Sequence, residues 1–567
     1  MIKISKSEFD QLMFDFGQLS RGYDSWRPYH RELAQYLLPL QQHFEAPYAQ
    51  GMVSPQGGAP RPNSAQNKRI LDPTGTKAAM DCAAGMMNGA VSPARPWFNL
   101  RIAGFPKETK VPNAHERYLQ EVRRRMLLVF AESNFYNAMA VHLLDYVVYG
   151  TAAMTIHEDW DEVLRFYTYP VGSYYLAQSA RRMIDTFARR GVMTVKQLEE
   201  EFGAENLTAK TREKLEDTPG KSNLFHEVGI YHLIEPNRQD SRYVPGGYTY
   251  RETYWEATGN PDGQLLRRAG FREKPGSFPR WDVIGDSTYG ISPGMYALPD
   301  VVQLQHQTMR KGEAIDKMVR PPLVIDQALR NQENPLRAGS RTYVSGYSNI
   351  GAKPVYQTNM SLGELRQDTL EVQERIRSAF FGDLFRMISS LDTVRSATEV
   401  DARREEKLVL LGPVLDRFEN EALDPILTRV YRIMQRKKLF PDPPPGLEAE
   451  QIEVEYVSVL SDAQRAVGTS SMERFMEVVG RTASIDPGIL DRVDFDGLIV
   501  EYGERLNVTP RGFRSDEDVA ARKSQNEELN ATREAALVGK DLTAAAKNLS
   551  DTDVGGGINA FQQLLAS

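Results

Sequence analysis

The chain has 567 residues, a formal net charge of −7 and 41% hydrophobic residues. One hydrophobic core rarely organises a chain this long, so we expect about two to four domains. The acidic balance argues against a protein that coats nucleic acid through its charge, since such domains are usually strongly basic. The single cysteine, Cys82, excludes an internal disulfide framework and fits a reducing compartment.

The amino-terminal end and the most apolar window bear on membrane insertion. Residues 1–6 lack the apolar segment of a signal peptide. The window 136–156 is interrupted by His142 and Asp145, so it is a poor candidate for a membrane span. We therefore expect a protein that is made in the cytoplasm and does not enter a membrane.

The first quarter of the chain is predicted to be helical. Apolar residues recur at helical spacing, and a Pro/Gly/Gln-rich loop at 46–63 separates the first helix from the others. A short strand at 97–102 follows a Pro-rich break, in which Trp97 and Phe98 are expected to pack into a core rather than bind a ligand. The predicted helices are 5–40, 74–90, 113–130 and 134–148.

After Gly150 short β-rich runs alternate with turn residues, so we predict an α+β region over 150–286. Its paired strands are 225–234 and 248–257, and a helix follows at 298–318. Residues 320–356 form a β-like, basic segment, and a strand is predicted at 453–459. Helices are predicted at 462–479, 494–506 and 515–537, with a loosely held end. The fold class is thus α+β, mainly helical.

Two long helices, 361–388 and 396–438, dominate the second half of the chain. Each begins with a capping box, Ser361 with Glu364 and Ser396 with Glu399, which satisfies orphan amide groups. At 1.5 Å per residue the first helix runs roughly 40 Å. Proline lacks an amide donor, so residues 412–413 and Pro425 should each bend or restart the second helix. Helices of this length indicate a rod, a bundle or an assembly.

Motifs that carry chemistry are weak throughout the sequence. Residues 220–222 lack the upstream glycine of a phosphate loop, and 494–497 lack the first and last ligands of a calcium loop. The spacing of His226 and His232 favours a strand over a zinc helix. A cluster at 159–162 offers carboxylates to a metal, but a solvated turn is the better interpretation. We predict no active site, no cofactor and no metal.

Three stretches together resemble a known family. They are Gly85–Phe98, then Phe278-Pro-Arg-Trp281 with 289–293 and 298–300, and then Ala397-Thr-Glu-Val400 with 405–407 and 411–413. In their order and spacing, from about Phe9 to about Val459, the chain resembles the head-to-tail connecting (portal) proteins of short-tailed bacteriophages. No single motif is diagnostic, so the resemblance depends on the set.

The resemblance implies a subunit of a dodecameric ring around a channel, built from a wing, a stem, a clip and a crown. It assigns the segments as follows: residues 1–149 the helical part of the wing, 150–297 the α+β wing, 298–319 the first stem helix, 320–358 the clip, 359–388 the second stem helix, 389–395 the tunnel loop, 396–460 a long bent wing helix with a strand, 461–540 crown helices and 541–567 a flexible tail.

The resemblance also implies a function without bond chemistry. The ring would lie at one vertex of the virion, conduct double-stranded DNA during packaging and ejection, and contact the large terminase subunit, a tail adaptor, and the major capsid and scaffolding proteins. The tunnel-loop candidates are Arg386, Ser389, Ser390, Asp392 and Arg395. The clip candidates are Arg330, Arg337, Arg341 and Lys353.

Simpler interpretations of these charged residues remain open. Arg386 is equally placed for a salt bridge to a neighbouring subunit, and the clip cations suit a solvated edge strand. Two other functions are weighed against a portal. A nucleic-acid-processing enzyme would need a phosphate loop or a carboxylate cluster that the sequence lacks, and a ring-forming tail adaptor is typically much shorter.

Overall fold

The structure is a computed structural model that describes residues 2–39, 70–102, 113–215, 223–257, 260, 263–321, 323–326, 341–344, 353–354, 362–382, 411–445, 452–456 and 469–483, with positions 493, 498, 540, 543, 544 and 547. The chain divides into two units, Met1–Gln464 and Arg465–Ser567. Helices and sheets occur together in the first unit, which confirms the mixed α+β class.

Besides helical residues 411–418, the described α-helices of the first unit are α1 Lys6–Tyr23, α2 Arg27–Leu37, α3 Thr74–Ala90, α4 Asn113–Glu132, α5 Phe135–Tyr149, α6 Val195–Phe202, α7 Ala209–Arg212, α8 Pro293–Val319, α9 Leu362–Ala379 and α10 Asp424–Arg436. In the described part of the second unit the helix is α11, Thr469–Ala483.

The strands, all in the first unit, are β1 Ile2–Lys3, β2 Phe98–Ile102, β3 Ala153–Glu158, β4 Leu164–Tyr169, β5 Tyr174–Gln178, β6 Ile184–Thr194, β7 Glu227–Pro236, β8 Tyr250–Glu256, β9 Gln264–Leu265, β10 Arg267–Phe271, β11 Gly276–Ser277, β12 Leu323–Asp326, β13 Arg341–Val344, β14 Lys353–Pro354 and β15 Ile452–Tyr456.

Local sequence signals account for most of these boundaries. The hydroxyl of Ser5 accepts the amide of Glu8 and caps α1. The helix predicted over 5–40 is wrong in its continuity, since turn residues 24–26 separate α1 from α2, whose first turn contains Pro28. The end of α5 is Gly150 at φ 73°, where a side chain would meet the carbonyl oxygen of Gly290.

Five antiparallel strands form the largest sheet, in the order β10-β8-β7-β6-β5. The pairing predicted between the strand near 225–234 and the strand near 248–257 is confirmed, because β7 pairs with β8. A smaller sheet has the order β11-β3-β4, and β2 pairs with β15. The last pair joins Ile102 to Ile452 and so connects the beginning and the end of the first unit.

Two aromatic clusters fill the core of the first unit. In one, α1 places Phe16 against the largest sheet, with its ring centroid 4.5 Å from that of Tyr231 and 5.7 Å from that of Trp255. In the other, Trp97 and Phe98 are 1% and 0% exposed and pack with aromatic residues of α4 and α5. The predicted burial of these two residues is confirmed.

Arg280 and Glu421 form a buried ion pair between distant parts of the first unit. Nη2 of Arg280 lies 2.6 Å from Oε1 of Glu421, with side chains 5% and 7% exposed. The backbone amide and Nε of Arg280 donate to Oε2 of Glu421. The other guanidinium hydrogens reach Gln178 and the carbonyls of Arg182 and Ser287. The pair thus ties the loop after β11 to the helix that ends in α10.

Glu421 lies in a π turn, Glu419–Leu423, between helical residues 411–418 and α10. Pro425 lies in the first turn of α10 and has no amide hydrogen to donate to the carbonyl four residues earlier. The regular series of α-helical hydrogen bonds is therefore interrupted here. The restart predicted at Pro425 is confirmed. Residues 383–410 lie outside the described part, so the bend at 412–413 stays a prediction.

His232 is an internal residue of the largest sheet. Arg189 Nε donates to its Nδ1 at 3.2 Å, so its hydrogen lies on Nε2, which donates to Glu252 at 3.0 Å. Burial, followed by the charges of Arg189 and Arg267, lowers the pKa of His232 well below its usual value. This neutral histidine is structural, as its spacing predicted.

Gln305 of α8 fastens the segment that precedes α3. Its Oε1 accepts the amide hydrogens of Leu71 and Asp72 at 2.7 and 2.9 Å, and its Nε2 donates to the carbonyl of Asp72. Gln373 of α9 donates to the Asp72 carboxylate. Burial opposes ionisation of Asp72, but hydrogen bonds, first from Thr74 and then from Gln373, outweigh it and lower its pKa. One polar cluster therefore joins α3, α8 and α9.

We predict that Glu421→Gln destabilises the full-length chain by about 3–5 kcal/mol, because it leaves the buried Arg280 guanidinium without its counter-charge. Guanidinium chloride unfolding of the purified protein measures the change. In Glu200→Gln, the matched control, an exposed pair with Lys196 at 3.8 Å is lost, and less than about 1 kcal/mol should follow. Equal midpoints for the two variants would contradict the role given to the buried pair.

We predict that Gln305→Ala costs about 1–3 kcal/mol, since the amides of Leu71 and Asp72 lose their acceptor in a part-buried site. Hydrogen exchange with mass spectrometry should show faster exchange at residues 71–72. The control is Gln303→Ala, which removes an exposed glutamine from the same helix. If both variants leave exchange at 71–72 unchanged, Gln305 does not hold this segment.

Candidate functional site: the α8–α9 helix pair and its β module

The helices α8 and α9 pack side by side in opposite directions. Arg375 Nη2 contacts Asp300 Oδ1 at 2.9 Å, and Gln307 Nε2 donates to Asp368 at 2.7 Å. Partner numbers fall along α9 as they rise along α8, so the pair is antiparallel. Its two free ends, Val319 and Leu362, therefore lie at the same end of the pair and lead into and out of the β-like segment.

The pair is buried at its base and exposed at its far end. At the base, Ser292 caps α8, and its hydroxyl donates to the carbonyl of Val148 at 2.6 Å. The helix begins at Pro293 rather than at Leu298 as predicted, because this cap and a first-turn proline start it earlier. Buried residues of the base are Leu298, Val301, Leu304, Val372, Ile376 and Phe380.

Several large apolar side chains lie toward the free ends of this pair. Ile315 is 39% exposed, Met318 42% and Val319 72%, and these three lie on one face of α8 at three- and four-residue spacing. Met309 and Leu370 are 47% and 50% exposed. A helix pair that extends from a core without covering such residues is typical of a surface that another chain buries.

Three short strands lie between the two helices in sequence. The middle strand of this sheet is β12, which pairs with β13 in parallel and with β14 in antiparallel orientation. Two of the four predicted clip cations fall on these strands. Arg341 of β13 pairs with Leu323 of β12, and Lys353 of β14 pairs with Val324 of β12. The other two, Arg330 and Arg337, lie outside the described residues.

The first of the two long predicted helices ends earlier than its pattern indicated. The sequence predicted 361–388, whereas α9 ends at Ala379. Phe381 has φ 56°, a left-handed conformation that a helix interior does not adopt. Phe380 is buried and the ring of Phe381 lies against Trp281, so tertiary packing ends the helix here. The predicted capping residue Ser361 lies outside the described part.

All five tunnel-loop candidates, Arg386, Ser389, Ser390, Asp392 and Arg395, lie outside the described residues, as does the capping box at 396–399. The structure therefore does not bring them together with the clip cations, and their roles stay predictions. The helical residues 411–418 and α10 are the described part of the predicted helix 396–438.

The weaker motifs have structural explanations where the structure describes them. Asp159 Oδ1 accepts the amides of Asp161 and Glu162, which makes an ordinary capped turn. In the described part of the chain no group of three or more His, Cys, Asp or Glu side chains is arranged so that it could hold a metal ion. Cys82 is buried, and burial raises the pKa of its thiol. Residues 220–222 and 494–497 lie outside the described part.

Sequence analysis overlooked Trp160, which lies within that same turn and is 98% exposed. Its neighbours Glu158, Asp159, Asp161 and Glu162 are all acidic. An aromatic residue with acidic residues at four neighbouring positions in a predicted turn is the signal that could have identified it, because a run of carboxylates is seldom buried.

No helix in the described ranges is long and apolar enough to cross a bilayer. Comparison with solved structures gives chains of low similarity. One is from the neck of an empty GTA particle (TM-score 0.29, 13% identity, 72% of this chain and 86% of that chain). Another is from the virion of a native gene transfer agent particle (0.28, 12%, 72% and 84%). TM-scores this low do not establish a shared fold.

Sequence comparison is decisive. The family model described as bacteriophage head to tail connecting protein matches residues 10–513. The portal protein of Salmonella phage epsilon15 is 35% identical over 558 residues, 97% of this chain and 96% of that protein. The probable portal protein of Bordetella phage BPP-1 is 35% identical over 547 residues, 96% and 95% of the two chains. The predicted resemblance is confirmed: the chain belongs to the bacteriophage head-to-tail connecting protein family.

Proposed function

We propose that this chain is the portal subunit of a phage head: copies form a closed ring at one vertex, through which double-stranded DNA enters during packaging and leaves on ejection. The observation that carries the proposal is the helix pair, buried at its base and exposed at its free ends, in a member of the connecting family. The ring is dodecameric in this proposal.

A ring closed by rotation requires two different complementary surfaces on each subunit. The α8 face of Ile315, Met318 and Val319 supplies one of them, because burying these side chains against the next copy removes apolar area from water. The two helices then act as the stem, 298–319 and 359–388, and the short sheet between them acts as the clip, 320–358.

The remaining segments take their roles from this arrangement. Residues 1–149 and 150–297 form the wing, 396–460 the wing helix and strand, 461–540 the crown and 541–567 a flexible tail. The tunnel loop, 389–395, narrows the channel, and Arg386, Ser389, Ser390, Asp392 and Arg395 face DNA. For Arg386 a salt bridge to the neighbouring subunit remains the alternative.

The partners follow from the position of the ring. The subunit is made in the host cytoplasm and becomes part of the virion. The clip, with Arg330, Arg337, Arg341 and Lys353, meets the large terminase subunit during packaging and the tail adaptor afterwards, while the wing meets the major capsid and scaffolding proteins. No step requires the chain to make or break bonds. The net charge of −7 suits a channel that must not grip phosphate.

We predict that Ile315→Glu prevents ring formation, because a charge on this face would have to be buried against the next copy. Native mass spectrometry and negative-stain imaging of the purified protein measure the assembly. The control is Ile284→Glu, which changes the same residue type at an exposed position, 64% accessible, outside the helix pair. Intact rings from both variants would exclude this face from the interface.

We predict that Arg341→Glu with Lys353→Glu leaves the ring intact but lowers packaging and tail attachment about tenfold, since charge reversal repels an acidic docking surface. DNA packaged per head and the fraction of tailed particles are the measurements. Lys196→Glu with Lys210→Glu, which reverses two exposed wing charges, is the control. Normal packaging and tailing by the clip variant would rule out docking through these cations.

A further inference from the structure

Trp160 differs from the other tryptophans of the chain. It is 98% exposed, whereas Trp97, Trp255 and Trp281 are 1%, 0% and 4% exposed. Tryptophan carries the largest apolar surface of any side chain, and leaving it in water forgoes the free energy that burial would supply. Lys437 Nζ lies 5.8 Å from the centroid of the Trp160 ring but leaves the indole in solvent. A tryptophan so exposed indicates a contact that another molecule completes.

The turn that carries Trp160 is held rigidly by its own backbone. The amide of Asp159 donates to the carbonyl of Val163 at 3.0 Å, which closes the hairpin between β3 and β4. Asp159 Oδ1 accepts the amides of Asp161 and Glu162 at 2.8 and 2.9 Å. Val163 adopts φ 69°, an uncommon conformation for a β-branched residue. The local geometry thus fixes where the indole is presented.

The carboxyl end of α10 supports this turn from behind. Lys437 Nζ donates to the carbonyls of Asp159 and Val163 at 2.6 and 3.2 Å. Arg436 forms an ion pair with Glu158 at 3.0 Å, with the two side chains 31% and 47% exposed. The helix therefore braces the hairpin without covering the indole. A turn whose backbone is held in this way loses little backbone conformational entropy when its aromatic side chain binds a partner, so it suits a binding anchor.

The charge around the indole restricts its partner. Glu158 forms an ion pair with Arg436 at 3.0 Å, and Glu162 forms one with Arg165 at 3.1 Å. The side chain of Asp161, in contrast, forms no ion pair within the described part of the chain. The four acidic residues at 158–162 outnumber the three cations beside them, Arg165, Arg436 and Lys437, so the tip keeps a net negative charge. Phosphates of DNA and of anionic lipid are repelled by such a tip, so base stacking and membrane insertion are both disfavoured.

We propose that the β3–β4 hairpin tip is a docking anchor for a second protein of the phage head, with Trp160 entering an apolar pocket that basic residues surround. Complementary charge would orient the two surfaces, and burial of the indole would supply most of the affinity. This inference rests on the proposed portal function, because the proposed partner is another component of the same particle.

Hydroxyl-radical footprinting with mass spectrometry tests the contact in the intact protein. Oxidation of Trp160 is compared in the free chain, in the purified ring and in assembled heads. We expect similar oxidation in the first two and about tenfold less in heads. Oxidation that stays high in heads would overturn the proposal. Protection already in the purified ring would also overturn it, since the occupant would then be a second copy of this chain.

Variants separate this anchor from ring formation. Trp160→Ala should form normal rings but enter heads about tenfold less often, Trp160→Phe should recover part of the loss, and Asp161→Lys should reduce entry. Tyr167→Ala, which removes a 45% exposed aromatic residue from adjacent β4, should enter normally. Normal entry of Trp160→Ala excludes the anchor, whereas rings that fail in every variant and in the unaltered chain would instead contradict the proposed function.

Discussion

The buried contact between Arg280 and Glu421 is the interaction on which the first unit depends. Charges taken from water are tolerated only when their hydrogen bonds are satisfied, and Arg280 meets this condition with three further acceptors. The contact joins the loop after β11 to a helix whose preceding residues, 383–410, include every tunnel-loop candidate.

The α8–α9 helix pair combines a buried base with an exposed free end. Gln305 and Asp72 link α8 to the segment before α3, and Val372 and Ile376 bury the base of α9. Beyond this base the two helices have mainly each other as neighbours, and apolar residues remain in water. Such a division separates the residues that fold the subunit from those that we propose assemble it, since the proposed ring would bury the exposed surface.

The surfaces proposed for assembly differ in chemistry. The free end of α8 presents aliphatic residues at helical spacing, which favours burial against a copy of the same helix pair. The β3–β4 tip presents one aromatic side chain among carboxylates, which favours a basic partner. Such differences give each neighbour its own recognition surface and disfavour wrong pairings, because like charges and unsatisfied polar groups oppose them.

Family, fold class and most element boundaries follow from the sequence alone, since caps, prolines and apolar periodicity act within a few residues: α3 and the β7–β8 pair lie where their patterns indicate. Tertiary structure alone decided the end of α9 at Phe381, the pairing of Arg280 with Glu421 and the exposure of Trp160. These features depend on contacts between residues far apart in the chain. A local sequence pattern does not determine whether the side chain of a tryptophan in a turn is buried in a core or exposed to water.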